Sequence, residues 1–190
     1  MPLTLLDPNT ALIVVDLQKG IVSGNFIHAI GEVVDRTRLL IDVFRAERLS
    51  VVLVNVAGRA PGRTEQGARS SLTLAEGWTD LLPQLGQQPG DILVTKRSWG
   101  AFAATDLERQ LKARGVTQVV VTGVATSVGV EATARQAYEQ GFNVTLALDA
   151  MTDMREEAHA YSIGNVFPRL GETGSAQEII SLLEKRRSAS

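Results

Sequence analysis

This amino-acid sequence predicts an α/β fold, with a mostly parallel sheet of five or six strands and helices on both of its faces. Short apolar runs rich in β-branched residues alternate along the chain with longer segments of helical periodicity. The runs are apolar on both alternating faces, which is typical of strands buried on both sides of a parallel sheet. This alternation implies right-handed crossovers and a three-layer, Rossmann-like arrangement, which we expect to form one domain over residues 1–190.

The individual elements follow from the apolar runs and the residues beside them. Strands are predicted at residues 11–16, 51–56, 92–95, 118–122 and 144–148, with a sixth at 166–170 that Pro168 restricts to an edge. Helices are predicted at residues 30–48, 105–114, 129–140 and 175–187. Thr105 followed by Glu108 has the pattern of a capping box. Residues 57–71 form a long loop rich in Gly, Arg and Ser, and loops of this length are often functional.

The composition excludes several classes of function. Lys and Arg number 19 and Asp and Glu number 21, so the net charge is −2, which argues against a partner made of nucleic acid. The chain has no cysteine, and this excludes disulfides, thiolate metal sites and a cysteine nucleophile. His28 and His159 are the only histidines and are far apart in sequence, so a zinc site is not expected. We predict no metal and no cofactor.

The sequence also predicts no contact with a membrane. Residues 1–4 carry neither the basic region nor the long apolar region of a signal peptide. No apolar run approaches the roughly 20 residues needed to span a bilayer. We therefore expect a cytoplasmic protein.

Polar residues at the ends of the predicted strands mark the candidate site. In parallel sheets of this kind the ligand binds beyond the carboxyl ends of the strands. Asp16, Asn55, Lys96 and Asp149 end strands, and so does the loop 123–128. Asp16 follows five apolar residues, and a carboxylate in such surroundings needs a compensating charge or a proton. Lys96 on a neighbouring strand end would form a cation–carboxylate pair with Asp16 at the floor of a pocket.

The segment 122–129 runs from the end of the fourth strand into a helix. Backbone N–H groups at such a turn form an anion or oxyanion site. A nucleotide-phosphate loop is a rival interpretation, but neither the Gly-x-x-x-x-Gly-Lys-Ser/Thr motif nor a Gly-x-Gly-x-x-Gly motif after the first strand is present. Nucleotide binding is therefore the weaker alternative.

Three sequence blocks, in the right order, resemble the isochorismatase-like, or cysteine hydrolase, superfamily. The first is VVDLQKGI, with Asp16 and Gln18 in an Asp-x-Gln motif. The second is KRSWGAFAATDL, which begins at Lys96, and the third is GVATSVGVEATAR, which begins at Gly123. The resemblance covers nearly the whole chain and implies the same α/β fold.

The main departure from the family pattern is Gly129, which occupies the position of the nucleophilic cysteine of the family's amidases. With glycine there, an acyl-enzyme mechanism cannot operate. True isochorismatases share this glycine, and the resemblance implies that Asp16 acts as a general acid toward an enol ether, Lys96 positions or polarises the substrate, and Gly129 leaves room for it. Because Lys96 lowers the pKa of Asp16 and a general acid needs it raised, burial or an anionic substrate must offset Lys96.

The resemblance also implies a set of substrate-binding residues and an assembly state. The set comprises Gln18, Trp99, Phe102, Val124, Ala125, Thr126 and Ser127. Arg59 in the long loop is added because its charge could contact a carboxylate substrate. A non-proline cis peptide is expected between Val124 and Ala125. Arg63 and Arg69 are further candidates for contact with an anionic substrate. The loop after the second strand lacks the His and Asp metal ligands of nicotinamidases. Family members commonly form homo-oligomers, and we expect a dimer or larger assembly here.

Two function classes remain open at this point. One is a cysteine-independent hydrolase acting on a small anionic substrate, an ether or a related compound. The other is a catalytically silent family member that binds a small molecule or serves as an oligomeric scaffold. An amidase that uses Ser127 in place of the cysteine is disfavoured, because no histidine base is near it in sequence.

Overall fold

A computed structural model describes residues 3–65 and 74–188 of the chain, and these residues form the predicted three-layer α/β fold. The strands are β1 (Thr10–Val15), β2 (Ser50–Val56), β3 (Ile92–Lys96), β4 (Gln118–Val124), β5 (Asn143–Thr152) and β6 (Glu172–Gly174). The helices are α1 (Lys19–Val22), α2 (Ile30–Ala46), α3 (Leu107–Ala113), α4 (Glu131–Glu139), α5 (Glu156–Tyr161) and α6 (Ala176–Ser188). All neighbouring strands pair in parallel, in the order β3-β2-β1-β4-β5-β6.

Each face of the sheet is covered by its own pair of helices. Alternate residues of β1 illustrate this, since Ile13 packs on the α3 and α4 side, whereas Leu12 packs on the α2 and α6 side. Both cores are almost entirely aliphatic, which explains why the strands read as continuous apolar runs in the sequence. Among the described helices, none is long and apolar enough to cross a membrane.

At the centre of the sheet, a glycine near the end of β4 allows β4 to lie very close to β1. The register between β4 and β5 shifts between Val121 and Gly123, and Gly123 has φ of 110°. A Cβ atom at Gly123 would lie 2.1 Å from the carbonyl oxygen of Val15. Only glycine allows β4 to approach β1 this closely in this backbone conformation.

Two details of the sequence prediction are wrong. The sixth strand is β6 rather than residues 166–170, because Pro168 lies in the first turn of a short 3₁₀ helix over Phe167–Arg169. The capping box at Thr105 does not form, since α3 begins at Leu107 and the Glu108 carboxylate pairs with Lys112 instead. Helices α1 and α5 were not predicted from the sequence. The remaining differences are extensions or shifts of element ends, the largest being that β5 continues to Thr152.

Candidate active site

The Asp16 side chain is placed by a change of backbone direction at the end of β1. Asp16 still donates its N–H to the carbonyl oxygen of Val54 on β2, at 3.0 Å, but its φ is 53°. Asp and Asn adopt this left-handed conformation more readily than other non-glycine residues. The chain therefore leaves the sheet immediately after Asp16, and the carboxylate is left at the carboxyl end of the strands.

Asp16 and Lys96 form a buried ion pair. The Lys96 Nζ atom lies 2.7 Å from Asp16 Oδ2 and also donates to the Ser98 carbonyl oxygen at 3.2 Å. Asp16 is 6% exposed and Lys96 is 2% exposed. Among the described residues, no group donates a hydrogen bond to Asp16 Oδ1, although this atom is buried. One carboxylate oxygen is thus held by the lysine, and the other is buried without a hydrogen-bond partner among the described residues.

The sequence analysis places Asp16 and Lys96 on neighbouring strands, but in the structure their strands are not neighbours. Strand β2 lies between β1 and β3, so Lys96 reaches Asp16 across the end of β2. The flexible four-carbon stem of lysine is long enough for this reach.

Burial dominates the ionisation of Asp16. Desolvation raises the pKa of Asp16 from 3.8 to about 6, although the charge of Lys96 and its hydrogen bond act in the opposite direction. The offset that a general acid requires is therefore present before any substrate binds. At neutral pH a small fraction of Asp16 remains protonated, and this fraction grows when an anion binds nearby.

Gly129 lies directly beside this carboxylate. It belongs to a single π-helical turn, Thr126–Val130, that joins β4 to α4. A Cβ atom at Gly129 would lie 3.1 Å from Asp16 Oδ2 and 3.0 Å from both the Val124 carbonyl oxygen and Val15 Cγ1. The absence of a side chain at Gly129 therefore leaves Asp16 accessible from this side.

A cavity of about 340 Å³ opens over the ion pair. Its size is within the range of small-molecule sites. Seven of the candidate site residues line this one cavity: Asp16, Arg59, Lys96, Trp99, Val124, Ala125 and Gly129. The peptide bond between Val124 and Ala125 is cis, which confirms that expectation.

Four of the candidate site residues lie outside this lining. The Gln18 amide is fully buried and bonds to backbone atoms of Val56 and Trp78. Phe102 packs in the core against Phe142, with 5.9 Å between ring centroids. Thr126 is buried and its hydroxyl bonds to His159 Nδ1.

Ser127 is the fourth of these residues. Its N–H donates to Asp153 Oδ2 at 2.7 Å. Asp153 thus holds the backbone of the turn that carries Gly129, through a group that the sequence analysis had assigned to the substrate.

Further wall residues of the cavity were missed by the sequence analysis. Phe26, Trp78 and Met154 are three apolar side chains that line it. Trp78 lies against Gly20, where a Cβ atom would be 2.2 Å from the indole ring. The glycine that follows the Asp-x-Gln motif was the available signal, because a close approach of this kind requires glycine.

The remaining candidates lie around or away from the cavity. Asn55 donates to the Thr79 carbonyl oxygen, and Asp149 Oδ1 accepts from the Ala176 N–H at the start of α6. Arg63 is exposed and lines a depression that adjoins the cavity at Arg59 and Trp99. Arg69 lies outside the described residues. Within residues 3–65 and 74–188, no three His, Asp or Glu side chains are grouped so as to hold a metal ion.

Comparison with known proteins places this geometry in a family context. The isochorismatase domain family model matches residues 10–178. The chain is 38% identical over 177 residues to the isochorismatase family protein YwoC of Bacillus subtilis (strain 168), covering 90% of this chain and 92% of that protein. It is 31% identical to the ureidoacrylate amidohydrolase RutB of Stutzerimonas stutzeri (strain A1501), covering 87% of this chain and 80% of RutB.

A solved structure is similar over almost its full length. The isochorismatase family protein of Burkholderia thailandensis superimposes with a TM-score of 0.89 at 39% identity, covering 95% of this chain and 98% of that one. The arrangement of strands and helices described above is therefore shared with a protein of known structure.

Proposed function

This chain belongs to the isochorismatase family of hydrolases, and we propose that it acts without a cysteine nucleophile on a small anionic substrate. Asp16 serves as the general acid and base, and Lys96 positions or polarises the substrate. The observation that carries the proposal is the buried Asp16–Lys96 pair on the cavity wall, in which Asp16 Oδ1 has no partner among the described residues.

The reaction that suits this pair is hydrolysis of a vinyl ether. Protonated Asp16 donates its proton to the terminal carbon of the double bond, which leaves an oxocarbenium ion on the ether side. Water adds to the cationic carbon and gives a proton to the Asp16 carboxylate, which restores the acid. The resulting hemiketal breaks into a carbonyl compound and an alcohol. The pKa of about 6 for Asp16 supports both halves of this cycle near neutral pH.

Lys96 and Gly129 complete the proposed machinery. Lys96 is held by Asp16 Oδ2 and the Ser98 carbonyl oxygen, so its charge is fixed at the cavity floor, where it attracts an anionic substrate. Gly129 is proposed to occupy the position of the cysteine of the family's amidases. Because a Cβ atom there would lie 3.1 Å from Asp16 Oδ2, glycine leaves space beside the carboxylate that a side chain would occupy.

The alternative is a catalytically silent protein that binds a small molecule or serves as a scaffold. An intact ion pair and cavity are compatible with binding alone, so turnover distinguishes the two. The cytoplasmic location and homo-oligomeric state expected from the sequence stay predictions.

The direct test is turnover of isochorismate and of a panel of vinyl ethers and amides by the purified chain and by Asp16→Asn. Asparagine keeps the left-handed backbone at position 16 but cannot transfer the proton, so we expect a rate loss on the order of 10²–10⁴-fold. Asp7→Asn is the matched control. Asp7 accepts hydrogen bonds from Thr117 and Asn143 at the opposite end of the sheet. Full activity of Asp16→Asn would contradict the proposal, and binding of a panel compound without turnover would favour the silent alternative.

A second test installs the missing nucleophile. If Gly129→Cys gains hydrolysis of amides from the same panel while the native chain has none, position 129 is the cysteine position and the native protein is not an amidase. If the native chain itself hydrolyses amides at a rate independent of residue 129, the assignment of Gly129 is wrong.

A further inference from the structure

The side-chain amide of Gln18 forms hydrogen bonds that a strand residue would normally make. Strand β1 pairs with β2 as far as Asp16, whose N–H donates to Val54. The backbone then turns away, so the next hydrogen-bonding residue of β2, Val56, loses its strand partner. The Val56 N–H donates to Gln18 Oε1 at 2.7 Å, and Gln18 Nε2 donates to the Val56 carbonyl oxygen at 3.1 Å. A primary amide has the donor and acceptor geometry of a peptide group, and here it continues the ladder.

The same amide also holds a wall of the cavity. The second N–H of Gln18 Nε2 donates to the Trp78 carbonyl oxygen at 3.2 Å. That oxygen also accepts from the Gly20 N–H at 2.9 Å, and the Trp78 indole lies against Gly20. Backbone bonds from Lys19 to Asp80 and from Leu82 to Leu17 extend the contact. Gln18 thus links the end of β2 to the segment that carries Trp78.

Gln18 is not placed to contact a substrate, because it is fully buried and does not line the cavity. Gln18 is fully buried, both of its N–H groups are donated to backbone carbonyls, and its oxygen accepts a backbone N–H. To donate a hydrogen bond to a substrate, the amide would have to break one of its bonds to a backbone carbonyl, at the cost of an unpaired buried polar group.

We propose that Gln18 is a positioning residue, whose amide replaces a strand residue beside Val56 and thereby fixes both the Asp16 turn and the Trp78 wall. The N–H of Gln18 itself donates to the Asp16 carbonyl oxygen at 2.8 Å, so the amide anchors the residue that closes this turn. The kinetic part of this inference rests on the proposed function. The structural part does not.

Two variants at position 18 separate loss of the amide from loss of volume. Gln18→Met keeps the length of the side chain and removes all three bonds. Gln18→Glu places a carboxylate against the carbonyl oxygens of Val56 and Trp78 at neutral pH. When that carboxyl is protonated at lower pH, it can again accept from the Val56 N–H and donate to one of the two carbonyls.

The chain offers a matched control at the other end of the sheet. Gln118 is 4% exposed, and its amide bonds to the backbone of Asp7 and Leu5 and to the hydroxyls of Thr10 and Thr145. Gln118→Met therefore removes a comparable buried amide without touching the cavity over Asp16. A loss of thermal stability that both Met variants show measures the cost of removing a buried amide, whatever its position.

The readout is the fluorescence of Trp78 in a Trp99→Phe background, in which Trp78 is the single tryptophan of the chain. We expect Gln18→Met to shift its emission to the red and raise its quenching by acrylamide, while Gln118→Met leaves both unchanged. Gln18→Glu should match Gln18→Met at neutral pH and return toward the parent as the pH falls. Unchanged Trp78 emission and quenching in both position-18 variants would overturn the inference.

Kinetics supply a second readout once a substrate is turned over. Displacement of a positioned group by about 1 Å reduces catalysis by up to about 100-fold, so we expect Gln18→Met to lose roughly 10- to 100-fold in kcat/KM. The loss should divide between KM, through the Trp78 wall, and kcat, through Asp16, with the pH profile of kcat/KM displaced. A failure to find any substrate would count against the proposed function only, because the fluorescence experiment still decides the role of Gln18.

Discussion

Two buried polar side chains at opposite ends of the sheet, Gln118 and Asp16, differ in how fully their polar atoms are hydrogen-bonded. At the amino end, both polar atoms of the buried Gln118 side chain have partners. Its oxygen accepts from the Asp7 N–H and the Thr10 hydroxyl, and its nitrogen donates to the Leu5 carbonyl oxygen and the Thr145 hydroxyl. At the carboxyl end, burial instead raises the pKa of Asp16 to about 6 and leaves Asp16 Oδ1 without a partner among the described residues.

Cavity size does not distinguish these two ends. The amino-end cavity measures about 460 Å³ and the carboxyl-end cavity about 340 Å³. The larger one borders Asp7, Gln118, Asn143 and Glu172, whose side chains are engaged in hydrogen bonds with neighbouring elements. The carboxyl end differs in having a buried carboxylate oxygen, Asp16 Oδ1, with no hydrogen-bond donor among the described residues. This is the condition expected of a group that acts on a ligand.

The sharpest contrast between the ends concerns two glycines with positive φ. Gly123 has φ of 110°, and a Cβ atom there would lie 2.1 Å from the Val15 carbonyl oxygen. Gly115 has φ of 69°, and the atom nearest to a Cβ there would be Asn9 Nδ2, at 3.4 Å. We expect Gly123→Ala to lower the free energy of unfolding by more than about 4 kcal/mol or to prevent folding, because backbone atoms cannot yield. Gly115→Ala should cost about 1 kcal/mol, from its backbone conformation alone. Urea denaturation measures both, and equal costs would contradict the close packing of β4 on β1.

A second difference should appear in the pH dependence of stability. Because the pKa of Asp16 is raised from 3.8 to about 6 on folding, the folded chain holds this proton where the unfolded chain has lost it. The contribution of Asp16 to the free energy of unfolding therefore decreases as the pH rises from about 4 to about 6, by up to about 3 kcal/mol. Asp16→Asn should abolish this decrease.

The measurement is the free energy of unfolding at several pH values, taken as the difference between wild type and variant so that other titrating groups cancel. Asp7→Asn, at the amino end, is the control and should not remove the decrease between pH 4 and 6. If the wild-type and Asp16→Asn curves run parallel through this range, Asp16 is not desolvated in the folded chain.

The smallest expected effect concerns the space beside Asp16. Gly129 and Gly164 both lie in single π-helical turns, but nothing lies within 4 Å of a Cβ atom at Gly164. Gly129→Ala should destabilise the chain by roughly 1–3 kcal/mol, since three atoms would lie within 3.1 Å of the new methyl group. Gly164→Ala should be neutral or stabilising by up to about 1 kcal/mol. Thermal melting of the two variants compares them, and a neutral Gly129→Ala would mean that the packing there is looser than described.

The sequence was sufficient to predict the sheet and the ion pair. Asp16 and Lys96 each follow an apolar run, and parallel strands bring all their carboxyl ends to one edge, so the two charges had to lie on the same side of the molecule. The sequence could not show that β2 separates them, because strand order depends on how the crossovers pack.

The pattern of apolar residues in the sequence could not predict which way side chains point in the turns. Gln18, Phe102 and Thr126 lie one to six residues from site residues, yet each points away from the cavity, toward the backbone of β2, the α3–α4 core and His159 respectively. The direction of Gln18 follows the positive φ at Asp16, and that of Thr126 follows the π-helical turn after β4. Trp78 was missed because it follows the long loop, where no periodic signal connects it to Gly20.

The titration of the Asp16 carboxyl carbon, followed by ¹³C NMR and identified by its loss in Asp16→Asn, tests the central claim most directly. The account predicts a midpoint near pH 6, and a further rise when Lys96→Met removes the neighbouring charge. A midpoint at or below 3.8 would mean that Lys96 outweighs burial, and Asp16 could not then serve as the proton donor.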